Sequence, residues 1–164
     1  MSNCCATSGD AGCAVPNRQP GICPACDQRA KSVPTLTVKS LVREHWRVPA
    51  SASFSFCRTP ECDFVYFSEE LAFRKADVKV RVGLKEHEDP IPLCYCFGYE
   101  CADVRRDIAA HGTSEIPDRI KAEIQGGFCA CETKNPSGTC CLGDVNRAVK
   151  EAKASLAVSS PIIR

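Results

Sequence analysis

Histidine, methionine and tryptophan are scarce in this 164-residue chain, at three, one and one residues. The histidines, His45, His87 and His111, fall in no ligand-like spacing, which argues against a His-Glu-x-x-His metalloenzyme site and against a mixed His/Cys cluster. No apolar run approaches the ~18 residues that a membrane-spanning helix needs, so no membrane insertion is expected. Charge of one sign is also missing. The 21 basic and 20 acidic residues leave a net +1, without the electrostatic footprint of a nucleic-acid binder. There is no glycine-rich phosphate loop and no nucleophile with a spaced histidine base, so a non-enzymatic role is expected. The opening residues Met1 to Asp10 carry neither a basic segment nor an apolar one, which points to the cytoplasm rather than secretion.

What the chain has instead is cysteine, fourteen in all. In a reducing compartment such thiols serve as metal ligands, redox groups or buried apolar filler. Residues 1–21 hold Cys4, Cys5 and Cys13 among small and polar residues and are expected to form a mobile tail. These three thiols are candidates for Cu(I) or another soft ion such as Hg(II), because soft ions favour thiolate.

Two regions follow, giving an α+β fold class. Residues 22–88 look β-rich. Thr35–Val38, Ser53–Phe56 and Val78–Val82 alternate with period two, and Phe64–Phe67 is a continuous apolar run suited to a buried strand. A short helix is expected around Lys39–Trp46, with Trp46, Phe54, Phe56, Tyr66 and Phe67 in the core and Lys79 and Arg81 on a solvated strand face. The charged stretch from Lys85 to Pro90 reads as a junction. Residues 90–164 look helical, with Val104 and Ile108 on one face before Gly112, and Ile120 and Ile124 behind Pro117. A last helix, capped by Asp144, carries Val145, Val149 and Leu156 on a stripe. Both units are small enough to need an inorganic cross-link.

Cys23-Pro24-Ala25-Cys26 and Cys57-x4-Cys62 are two thiolate knuckles about thirty residues apart. Two such turns brought together supply four sulfurs, the set that structural zinc accepts in a closed tetrahedral site. A thioredoxin-like redox pair would need a βαβ setting that the flanks do not offer. Further on, Cys94-Tyr95-Cys96 and the run from Cys129-Ala130-Cys131 to Cys140-Cys141 place thiols in two loops separated by helices, a set that suits a four-cysteine iron–sulfur cluster. A second zinc is the alternative on spacing alone. Spacing does not choose between Cys129 and Cys131, nor between Cys140 and Cys141. Arg105, Arg106, Lys134 and Arg147, with loop N–H groups near Gly98 and Gly138, are candidates to balance the cluster's negative charge. Cys101 is expected to be buried as a small apolar residue, and so are Cys129 and Cys140 beside the candidate ligands, the alternative for these two being spare thiols when a cluster is damaged.

The order of these motifs, with Val65-Tyr66-Phe67, Arg81-Val82-Gly83 and Asn135-Pro136-Ser137-Gly138-x-Cys140-Cys141 between and after the knuckles, resembles the N-terminal part of the CopZ family of copper chaperones. The resemblance covers about residues 22–145. It implies a zinc-ribbon-like unit binding Zn2+ through Cys23, Cys26, Cys57 and Cys62. A helical unit like bacterioferritin-associated ferredoxin is implied next, with a [2Fe-2S] cluster on Cys94, Cys96, Cys131 and Cys141. The family's second domain carries a Met-x-Cys-x-x-Cys copper loop, which has no counterpart here, Met1 being the one methionine. The implied role is an accessory chaperone or redox partner in copper or soft-metal handling, working with a transporter, chaperone or redox protein. The alternative is a small electron or cluster carrier without copper cargo.

Overall fold

The computed structural model describes residues 21–159, with side chains to residue 157. The tail thiols Cys4, Cys5 and Cys13 lie outside the described residues.

The first half is a four-stranded antiparallel sheet, β1 (Lys31–Val33), β2 (Phe54–Phe56), β3 (Phe64–Phe67) and β4 (Ala72–Arg74), in that spatial order. Val33 pairs with Phe54 and Phe56 with Tyr66, and a register shift between Phe64 and Tyr66 interrupts the β3–β4 ladder. One face of the sheet buries Phe54, Phe56, Tyr66 and Phe73 together with Val38, Leu41 and Val42.

Helix α1 (Thr35–Leu41) occupies residues whose alternation predicts a strand. Pro34 stands at its N-cap, and the helix buries Thr37, Val38 and Leu41 on one face while Leu36 stays half exposed. The expected helix to Trp46 therefore stops at Leu41. Residues 45–47 form a single 3₁₀ turn that holds Trp46 at the surface, 71% exposed, so Trp46 is not a core residue. Val78–Val82 is not a strand either. Val78 makes one isolated bridge to Val42, and Val78 and Val82 are buried through an irregular segment. Lys79 and Arg81 point outward, to the Ser40 carbonyl and the Glu86 carboxylate.

The second half begins with the two-stranded β5 (Pro92–Cys94) and β6 (Tyr99–Glu100). Then come α2 (Cys101–His111), α3 (Ile116–Gln125), the short α4 (Cys131–Lys134) and α5 (Leu142–Ser159). Helix α2 starts on a capping box in which the Glu100 N–H donates to Asp103 at 2.9 Å, and stops at Gly112 with φ +70°. Its buried Val104 and Ile108 meet Ile116, Ile120 and Val145 in a second core that also contains Cys94 and Cys141.

The halves meet along a polar seam. The buried Tyr66 hydroxyl donates to the Pro136 carbonyl at 2.8 Å, and Thr37 donates to the Glu132 carbonyl at 2.6 Å. Tyr95 donates to the Arg81 carbonyl at 2.9 Å and accepts from the Gly83 N–H at 2.8 Å. Gly83 has to be glycine, since a Cβ there would stand 1.9 Å from the Pro92 carbonyl oxygen.

Candidate metal centres

The first centre is built by two tight turns. In Cys23–Cys26, the Asp27 N–H donates to the Cys23 carbonyl at 2.9 Å and the Cys23 N–H to the Gln28 carbonyl at 2.9 Å. In the second turn, which leaves β2, the Cys57 N–H donates to Val65 and the Cys62 N–H to Thr59. The turns face each other, with Cys23 and Cys62 sulfurs 3.8 Å apart, Cys26 and Cys57 sulfurs 3.7 Å apart, and all four within 4.8 Å of one another. Four sulfurs at ~2.3 Å around a tetrahedral zinc are separated by about 3.8 Å, the separation of both facing pairs, so the donor set suits zinc. Phe67 closes the site from the sheet side. Burial pushes the Cys23 and Cys62 thiols up. At Cys26 burial acts the same way, but hydrogen bonds with Thr59, the Gln28 backbone and neighbouring cysteines outweigh it and bring the thiol to about 7.

A cation stands behind this centre. Lys85 is 1% exposed, and its Nζ donates to the Thr59 carbonyl at 2.7 Å and the Cys62 carbonyl at 3.0 Å. Sequence reasoning missed it, because a lysine in a charged, proline-flanked stretch carries no apolar period to mark it as buried. Its neighbour Glu86 pairs with Arg81 at 2.6 Å and Lys75 at 3.3 Å. Burial would raise the Glu86 carboxyl, but these two cations hold it below its ordinary value.

The second centre gathers thiols from β5, the turn after it, the start of α4 and the start of α5. Cys94 and Cys141 lie 3.0 Å apart in the helical core, and Cys96 and Cys131 lie 3.5 Å apart beside them. A fifth thiol joins: Cys129 is 3.2 Å from Cys131, and the sulfurs of Cys96, Cys129 and Cys131 all lie within 4.8 Å of one another. The Ala130 N–H donates to the Cys96 sulfur at 3.3 Å. The hydrogen bond from Cys141 brings Cys94 down to about 6 against the opposing effect of burial, with help from the Phe97 and Cys96 backbone, while Cys141 moves up. Burial raises Cys131 and Cys96, and the contact with Cys131 lowers Cys129.

The leftover thiols depart from expectation. Cys140 is exposed, because the tight loop that turns Cys141 inward aims its predecessor out. Cys129 is half-buried against the Cys131 sulfur and is not core filler, and Cys101 is half-buried at the first residue of α2. Three of the four expected counter-charges are engaged elsewhere: Arg105 with Asp89, Arg106 with Asp103 and Arg147 with Asp144. Gly138 serves the seam, packed where a Cβ would be 2.8 Å from Pro34 and Thr37.

Residues 20–79 match the CopZ zinc-binding domain family. The chain carries the N-terminal zinc-binding domain of CopZ-like copper chaperones. It is 36% identical over 127 residues to the copper chaperone CopZ of Archaeoglobus fulgidus, covering 76% of this chain and 60% of that protein. It thus spans less than two thirds of the relative's length. The crystal structure of the Archaeoglobus fulgidus CopZ N-terminal domain superposes with a TM-score of 0.64 at 33% identity, covering 77% of this chain and 95% of that one. The CopZ-like chain is a mixed helix-and-sheet protein with cysteine clusters able to bind metal. No described helix is long and apolar enough to cross a membrane.

Proposed function

We propose that this chain is a two-centre metal protein serving copper or another soft metal, with structural zinc on Cys23, Cys26, Cys57 and Cys62 in a zinc-ribbon-like unit of residues 22–88. A [2Fe-2S] cluster on Cys94, Cys96, Cys131 and Cys141 belongs to the helical unit of residues 90–164. The observation that carries the reading is the difference between the two sulfur sets. The first is one compact group with separations suited to a single tetrahedral ion. The second divides into Cys94 with Cys141 and Cys96 with Cys131, two thiolates for each of two irons.

When bound, the cluster supplies a one-electron centre, and the protein's part is to hold four thiolates, exclude water around Cys94 and Cys141 and donate the Ala130 N–H to sulfur. Supplied with electrons by a redox partner, such a centre would help hold a carried soft ion, or the thiols that carry it, in the reduced state. The cargo passes to a transporter or redox partner in the cytoplasm, without nucleic-acid contact or catalysis.

Metal analysis with absorption and EPR spectroscopy on anaerobically purified protein tests the reading. About two irons, two sulfides and one zinc per chain are expected, and a colourless, zinc-only protein overturns the cluster assignment.

A further inference from the structure

Three sulfurs, those of Cys96, Cys129 and Cys131, surround one end of the second centre, while Cys94 and Cys141 form the other. In a [2Fe-2S] cluster each tetrahedral iron already has two bridging sulfides and takes two protein thiolates. Three thiols at one iron are one too many. We propose that Cys129 is a reserve ligand that takes the iron from Cys131 when that bond breaks; this rests on the cluster reading above.

The backbone explains how the two can alternate. Cys131 opens α4 and is buried, its position set by the helix that packs on α1 through the Thr37–Glu132 hydrogen bond. Cys129 precedes the N-cap residue Ala130, half-buried, with its sulfur 3.2 Å from that of Cys131. Transfer needs a movement of the order of one atomic diameter. The Fe–S bond to Cys131 breaks, the Fe–S bond to Cys129 forms, and the Cys129 proton passes to the departing Cys131 sulfur. Iron keeps its oxidation state and the cluster its charge. The Ala130 N–H stays on Cys96, the thiolate that does not exchange. A carrier exposed to thiol-seeking metal ions gains by this, because an ion or oxidant that captures one sulfur does not release iron. Cys140 is not equivalent: it adjoins Cys141 but is exposed, and it belongs to no group of converging sulfurs among the described residues.

The test compares anaerobically purified wild-type, Cys129→Ser, Cys131→Ser and Cys129→Ser/Cys131→Ser chains, each assayed for iron, sulfide and zinc and by EPR after reduction. Cys129→Ser is expected to match the wild type in content and spectrum. Cys131→Ser should keep at least half its iron with an altered EPR signal, and the double variant should lose it. Identical iron content in Cys131→Ser and the double variant overturns the proposal. A second measurement stands whether or not Cys131→Ser folds. Cys129→Ser should surrender iron to a ferrous chelator several-fold faster than wild type, and equal rates overturn the reserve role. A wild-type chain without iron and sulfide overturns the cluster reading itself, and the reserve ligand with it.

Discussion

An ammonium group at 1% exposure is costly to bury unless charge nearby compensates it. Two carbonyls receive Lys85, both from the Cys57–Cys62 knuckle, and a zinc ion held by four thiolates carries a net charge of about −2. The lysine orients the knuckle and would offset that charge once zinc is bound. Lys85→Met is therefore expected to weaken zinc binding about 10–100-fold, as loss of outer-shell partners does elsewhere. Competition with a chromophoric zinc chelator measures it, and unchanged affinity would remove Lys85 from the centre. Glu86 beside it is tied to Arg81 and Lys75. Because its folded-state carboxyl lies below the ordinary 4.5, the ion pairs add stability above that value and lose it as pH falls through and below it. Glu86→Gln should cost about 1 kcal/mol at neutral pH, with the difference in Tm from wild type closing in acid.

At the scale of elements, the two knuckles hold the sheet as much as the sheet holds them. β2 ends at Phe56 and runs directly into Cys57, and Phe67 of β3 packs on the sulfurs. Cys57→Ser should release the zinc and unfold the sheet half, because in small metal-bound units metal binding contributes ~10 kcal/mol or more to folding. Loss of the sheet's circular dichroism together with zinc is the expected result, and a folded zinc-free variant contradicts it. The elements also show where sequence is legible. Phe64–Phe67, Phe54–Phe56 and the helix ending at Gly112 are readable because apolar runs and a left-handed glycine are local signals. Thr35–Val38 misleads. Its alternation suits a strand, yet Pro34 starts a helix there, and the pull of the sheet core on Val38 and Leu41 settles the outcome. Trp46 misleads for the converse reason, since size alone does not bury a residue on a surface turn. The first sulfur set is legible from its two knuckles, whereas spacing leaves open which thiols of the second set converge, and Lys85 and the fifth thiol depend on tertiary placement.

Across the whole molecule, the Tyr66 hydroxyl reaches from the sheet core to the loop between α4 and α5. Removing it in Tyr66→Phe leaves the Pro136 carbonyl without this donor and should cost about 1–3 kcal/mol. If the halves are coupled through this seam, the same variant should speed iron loss while leaving zinc stoichiometry intact, which parallel metal analysis would show. The two motifs outside the sulfur sets, Arg81-Val82-Gly83 and Asn135-Pro136-Ser137-Gly138, both contribute to the seam, through Gly83 under Pro92 and Gly138 against Pro34.

The family's zinc-binding span closes at residue 79, six positions short of Lys85. A fragment trimmed to that span would keep all four sulfurs and discard the amine that steadies them. Engineers wishing to transplant this module should therefore cut no earlier than Glu86, since a shorter graft would bind its ion loosely despite an intact ligand set.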